Sequence, residues 1–62
     1  MKYYFMSFMY EKEEHTGFGN FFTSLTYLNI RSVEKELCNS YNYSAVYIIN
    51  FQEISKEDYD RQ

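Results

Sequence analysis

Two hydrophobic periods divide this chain. From Lys2 to Tyr10, KYYFMSFMY, nearly every position is aromatic or a methionine and no turn residue intervenes, which predicts a strand. In a pleated strand Tyr4, Met6, Phe8 and Tyr10 share one face, and Tyr3, Phe5, Ser7 and Met9 the other. Apolar side chains on both faces predict a central strand that is covered twice. The charged stretch EKEEHTG then predicts a connection, and FGNFFTSLTY, residues 18–27, a second strand. Phe21, Thr23, Leu25 and Tyr27 fall on one of its faces, and Phe18, Asn20, Phe22 and Ser24 on the other. A short polar link between two strands predicts an antiparallel hairpin.

The period changes after Asn29. Ile30, Val33, Leu37 and Tyr41 recur at intervals of three and four, the stripe of an amphipathic helix, with Arg31, Glu34, Lys35 and Glu36 off the stripe. Asn29 is the expected N-cap, with Ser32 as competitor, and NSYNYS predicts an end near Asn39 to Tyr41. AVYIINF, residues 45–51, is β-branched and predicts a third strand. SKED, residues 55–58, has the serine-to-acid spacing of a helix start, so the tail is expected to form one helical turn or to fray.

The order β-β-α-β constrains the topology. After the hairpin, the helix carries the chain back, so the third strand runs parallel to the second. A crossover over the first strand sets the third beside it. The expected fold is therefore an α+β domain, ββαβ, with a three-stranded antiparallel or mixed sheet of order 2-1-3 and one helix on one face. The order 1-2-3 would leave Tyr3 and Phe5 on an open edge. The helix is expected to cover Met6, Phe8, Phe21 and Leu25, with either Val46 and Ile48 or Tyr47 and Ile49. The other face keeps Tyr3, Phe5, Met9 and Phe22 uncovered, and such a face marks an interaction surface. A second copy is the simplest cover, so a homodimer is expected.

Size sharpens this expectation. The chain has 62 residues, one domain (residues 1–62), and a domain of that size buries only about 60% of the surface its unfolded chain exposes. The single Cys38 forms no internal disulfide, and the single His15 rules out a Cys/His zinc set. No metal, cofactor or catalytic residue is expected, because one His and one Cys make neither a nucleophile–base pair nor a metal set. Eight Tyr and six Phe supply more aromatic surface than one small core holds.

Charge removes another class. Six basic and nine acidic residues leave a net charge of −3, and the basic residues form no stripe, which argues against nucleic acid as a partner. MKYYFMSFMY carries a lysine and an apolar run, but the run is short and aromatic and EKEE follows it, unlike an export signal. No apolar run is long enough for a membrane helix, and an unpaired cysteine fits a reducing cytoplasm. HTGFGNFF holds both glycines, Gly17 and Gly19. A dinucleotide loop wants three glycines opening a helix, whereas here a strand follows. Gly17 is expected to take positive φ at the end of the hairpin connection, and Gly19 to make room for an aromatic ring or a bulge. The hairpin tip, His15, Gly17, Phe18, Gly19 and Asn20, is a second candidate contact for a partner.

KYYFMSF near the start, GFGN opening the second strand, and VYIINFQEIS followed by KEDY together resemble a family of short uncharacterised proteins of phages and bacterial mobile elements. The resemblance covers most of the chain and assigns no functional residue. It implies a setting, the host cytoplasm, and a role, binding and disabling host machinery such as antiviral defence. The expected function is thus a non-enzymatic, homodimeric inhibitor of a bacterial defence protein. The alternative is a protein that sequesters a small molecule, such as a signalling nucleotide, in a dimer cleft.

Overall fold

A computed structural model describes residues 1–61. It contains β1 (Lys2–Lys12), β2 (His15–Leu25), α1 (Ile30–Tyr41), β3 (Ala45–Ile54) and the single-turn α2 (Lys56–Asp60). The sheet order is β2-β1-β3, and both pairings with β1 are antiparallel. The expected α+β fold and strand order are therefore the observed ones. No helix among the described residues is long and apolar enough to cross a membrane.

β1, apolar along most of its length on both faces, is the central strand. Tyr4, Met6 and Phe8 are buried on its α1 side, with Met6 fully enclosed. Val33 descends onto Tyr4 and Met6 from α1, and Phe21, Leu25, Leu28, Leu37 and Ile48 close the cluster. Of the two sets open for β3, Val46 and Ile48 face the helix. The register then shifts: Phe8 pairs with Ile48 but Ser7 with Asn50. Ile49 is the extra residue of a bulge, and the shift brings Phe51, not Asn50, onto the helix side opposite Met6. There the Phe51 ring meets Tyr4 edge-on at 6.3 Å.

The helix ends are capped as the residue types require. The Asn29 side chain accepts the Ser32 N–H at 3.1 Å, and Asn42 ends α1 in the left-handed conformation, φ 58°, which Asn tolerates better than most residues. Ser55 accepts the Asp58 N–H at 3.0 Å, so the tail does form its helical turn.

The hairpin differs from expectation. β1 and β2 pair without interruption from Lys2↔Leu25 to Lys12↔His15, so the connection is only Glu13 and Glu14. The charged residues on either side belong to the strands because the hairpin runs beyond the core into solvent, where its faces need not be apolar. This gives the molecule extents of 38 × 19 × 17 Å. β3 also outlasts the expected strand, since Ile54 pairs with Tyr3 and Lys2 meets Glu53 at 3.8 Å. Neither glycine has positive φ; Glu13 does, at 57°. The favoured two-residue hairpin turns take positive φ at their first central position, which Glu13 occupies here, and Gly17 lies in the strand beyond it.

A residue with a Cβ is strained in that conformation. Glu13→Gly, which removes that strain, is expected to stabilise the fold by about 0.5–1 kcal/mol, read as a higher denaturation midpoint with unchanged slope.

Candidate functional site

Three surfaces gather most of the aromatic residues outside the core. The first is the sheet face away from α1. Residues opposite one another across the ladder share a face, which arranges this side in rows. Ser24, Tyr3 and Ile54 form the first; Phe22, Phe5 and Gln52 the second; Asn20, Ser7 and Asn50 the third; Phe18, Met9 and Tyr47 the fourth. A polar row thus separates two apolar ones. Phe5 and Phe22 stack obliquely, their centroids 4.8 Å apart. Phe18 is 72% exposed and Tyr47 49%. The face is not wholly bare, as the sequence suggested: α2 folds back over its first row, and Tyr59 lies against Tyr3, centroids 4.8 Å apart. Phe5, Met9 and Phe22 remain on the open part, joined by Phe18 and Tyr47.

The residues first grouped as a hairpin tip are thereby separated. His15 is exposed at the turn. Phe18 and Asn20 belong to the open face, and Gly17 and Gly19 to the other. Alternation along the second strand already sets Phe18 on one face with Phe22, and the register joins that face to Phe5 and Met9.

The second surface is an aromatic ladder beyond the C-terminal end of α1. Tyr10 stacks on Tyr43 with centroids 4.2 Å apart and planes 17° from parallel. Tyr41 also stacks on Tyr43, centroids 5.5 Å apart. The glycines explain how Tyr10 and Phe8 lie down. A Cβ on Gly17 would stand 2.4 Å from the Tyr10 ring, and one on Gly19 2.7 Å from that of Phe8. Each glycine is therefore the bed of a ring from β1, the close-approach role of glycine in a strand. Loss of hydration, and next the adjoining phenols Tyr10 and Tyr41, push the Tyr43 hydroxyl above its ordinary 10.0.

The third is a groove of about 210 Å³ between α1 and β2, floored by Phe21, Thr23 and Leu25 and walled by Val33, Leu37 and Tyr41, with Glu36 and Ser40 at its rim. It exists because α1 leans toward β3. There the Glu34 carboxylate accepts the Ile48 N–H at 2.8 Å.

None of these surfaces assembles reactive groups. Among the described residues no three His, Cys, Asp or Glu side chains converge on a point. Cys38 is half-buried on α1, remote in the chain from the exposed His15 at the hairpin turn. No family model, no curated protein and no solved structure matches this chain, so its chemistry is read from its own surfaces.

Two outcomes test the ladder. Gly19→Ala is expected to lower stability by about 1–2 kcal/mol, because the Phe8 ring that it displaces is buried. Gly17→Ala should cost less, since half-buried Tyr10 can swing outward; urea midpoints decide the order. The raised Tyr43 pKa means that the folded state holds this proton more tightly than the unfolded chain. Its contribution is complete below pH 10.0 and is lost as pH rises through the folded value. Ultraviolet titration should show a late-ionising phenol that disappears in Tyr43→Phe, together with a weaker fall in stability above that pH.

Proposed function

We propose that this chain is a non-enzymatic protein-binding module that works as a homodimer and meets its target through the open sheet face. The observation that carries the reading is that face itself: Phe5, Met9, Phe18, Phe22 and Tyr47 stand there, and the described residues cover only the end beneath Tyr59. Aromatic and methionine side chains are the residue types that protein interfaces concentrate at their centres. The polar row Asn20, Ser7, Asn50 offers hydrogen bonds that fix the register of whatever docks. The resemblance to phage and mobile-element proteins makes a bacterial antiviral defence protein the target class, and a net charge of −3 favours a target with a basic surface, such as a nucleic-acid groove.

A second reading, sequestration of a small molecule such as a signalling nucleotide, has the groove between α1 and β2 in its favour. Its lining argues for an uncharged ligand instead, because Glu36 is the only charged side chain among the lining residues and repels phosphate.

The test is expression of the chain in bacteria that carry individual defence systems, followed by phage challenge and recovery of the tagged protein. Relief of one system and co-purification of one of its proteins are expected, both lost in Tyr47→Glu at unchanged melting temperature. Relief that survives Tyr47→Glu, or no relief of any system, would overturn the reading. Release of a small molecule on heating would favour the second.

A further inference from the structure

The two outer edges of the sheet are treated differently. Glu11 turns its carbonyl away from β2, toward the Ser44 N–H, 2.7 Å away. Its partner Thr16 therefore directs its own main-chain groups outward. By the alternation of an antiparallel ladder, so do Phe18, Asn20, Phe22 and Ser24. On β3 the same alternation turns the Ile48 N–H outward, and there the Glu34 carboxylate accepts it. The bulge at Ile49 further interrupts that edge, and Glu53 adds a charge beside Lys2. Each of these blunts an edge against strand addition. β2 has none of them: its ladder with β1 is unbroken over 11 residues, and it contains no Asp, Glu, Lys, Arg or Pro.

The outward-pairing residues of β2 also form a near-palindrome. Thr16, Phe18, Asn20, Phe22 and Ser24 read hydroxyl, Phe, Asn, Phe, hydroxyl, and Asn20 is the midpoint of the strand. We propose that β2 pairs antiparallel with β2 of a second copy about a two-fold axis at Asn20, joining two three-stranded sheets into one. In that register Phe18 faces Phe22 of the second copy, Thr16 faces Ser24, and Asn20 faces itself. Aromatic pairs and hydroxyl pairs are favourable cross-strand neighbours. On the helix side Gly19 faces Phe21 and Gly17 faces Thr23, small against larger. Self-pairing also places no charge against a like charge, which matters in a chain of net charge −3. A foreign strand would need none of this symmetry. The pairing leaves the open faces side by side as one continuous surface, so the homodimer does not use up the face that meets the target.

The proposal is tested by sedimentation and light scattering from micromolar concentration upward. Wild type is expected to be dimeric. Asn20→Asp, which sets two carboxylates against each other at the axis, should weaken the dimer by about tenfold or more with the fold intact by circular dichroism. In a Cys38→Ser background, Asn20→Cys should oxidise to a linked dimer, since facing residues in such a pair lie about 5.5 Å apart, within disulfide reach. Asn50→Cys, in the same row at the other edge, should not. Tyr47→Glu should leave the mass unchanged, which separates failure of the pairing from failure of target binding. A monomer at every concentration, a dimer insensitive to Asn20→Asp, equal cross-linking through position 50, or a dimer broken by Tyr47→Glu instead would each overturn the proposal.

Discussion

The double cover demanded by β1 is the constraint from which the rest of this structure follows. Its two faces are both apolar and its two edges both need pairing, yet the chain has only 62 residues with which to meet those demands. Pairing is met in full, with β2 on one side and β3 on the other. Cover is met on one face only, where α1 sets Val33 onto Tyr4 and Met6. Among the described residues five apolar side chains, Tyr4, Met6, Phe8, Val33 and Val46, become truly buried. Such a core is small even for a marginal domain, so the aromatic residues left outside it matter more than they would in a larger protein.

One helix cannot centre itself over three strands of this length. α1 leans toward β3, where the hydrogen bond from the Ile48 N–H to Glu34 ties it, and the groove over β2 is the consequence. Beyond the helix C-terminus the sheet would be bare. There Phe8 and Tyr10 lie down across Gly19 and Gly17, and Tyr43 and Tyr41 continue the stack. The ladder extends the core past its helix using rings in place of a second layer. It also explains why both glycines sit within one strand and neither sits in the turn, leaving Glu13 to adopt the conformation that glycine would take without strain.

The architecture was legible because it depends on side-chain pattern: the two apolar faces of β1, the stripe Ile30, Val33, Leu37, Tyr41, and the β-branched start of β3 are local signals with a single consistent arrangement. The boundaries were less so. Main-chain pairing continues wherever a partner strand is present, whatever the side chains, so β2 began at His15 and β3 ran to Ile54. The bulge at Ile49 carries no sequence mark, since Ile48, Ile49 and Asn50 are ordinary strand residues, yet it decides that Phe51 faces the helix. Of the open face, Phe5, Met9 and Phe22 could be read from alternation. Phe18 follows from the same alternation, whereas Tyr47 joined it only when the register was known, and Tyr59 covered Tyr3 through a contact between residues far apart in the chain. The stack of Tyr10 on Tyr43 has the same origin.

The uneven distribution of protective devices is itself informative. A carboxylate over an outward N–H, a bulge, an ion pair and a packed terminal helix all gather on the β3 side of the sheet or at the adjoining end of β1. Nothing in the physics of a three-stranded sheet favours that side, because an unpaired edge is equally exposed to association wherever it lies. A lysine or proline at an even-numbered position of β2 would blunt its outer edge without touching the ladder to β1. The strand holds uncharged residues there instead, with phenylalanines at equal distances from Asn20. An edge that is long, unbroken, neutral and symmetric about its own midpoint has the properties of a pairing surface, whereas the opposite edge of the same sheet shows how this fold closes one.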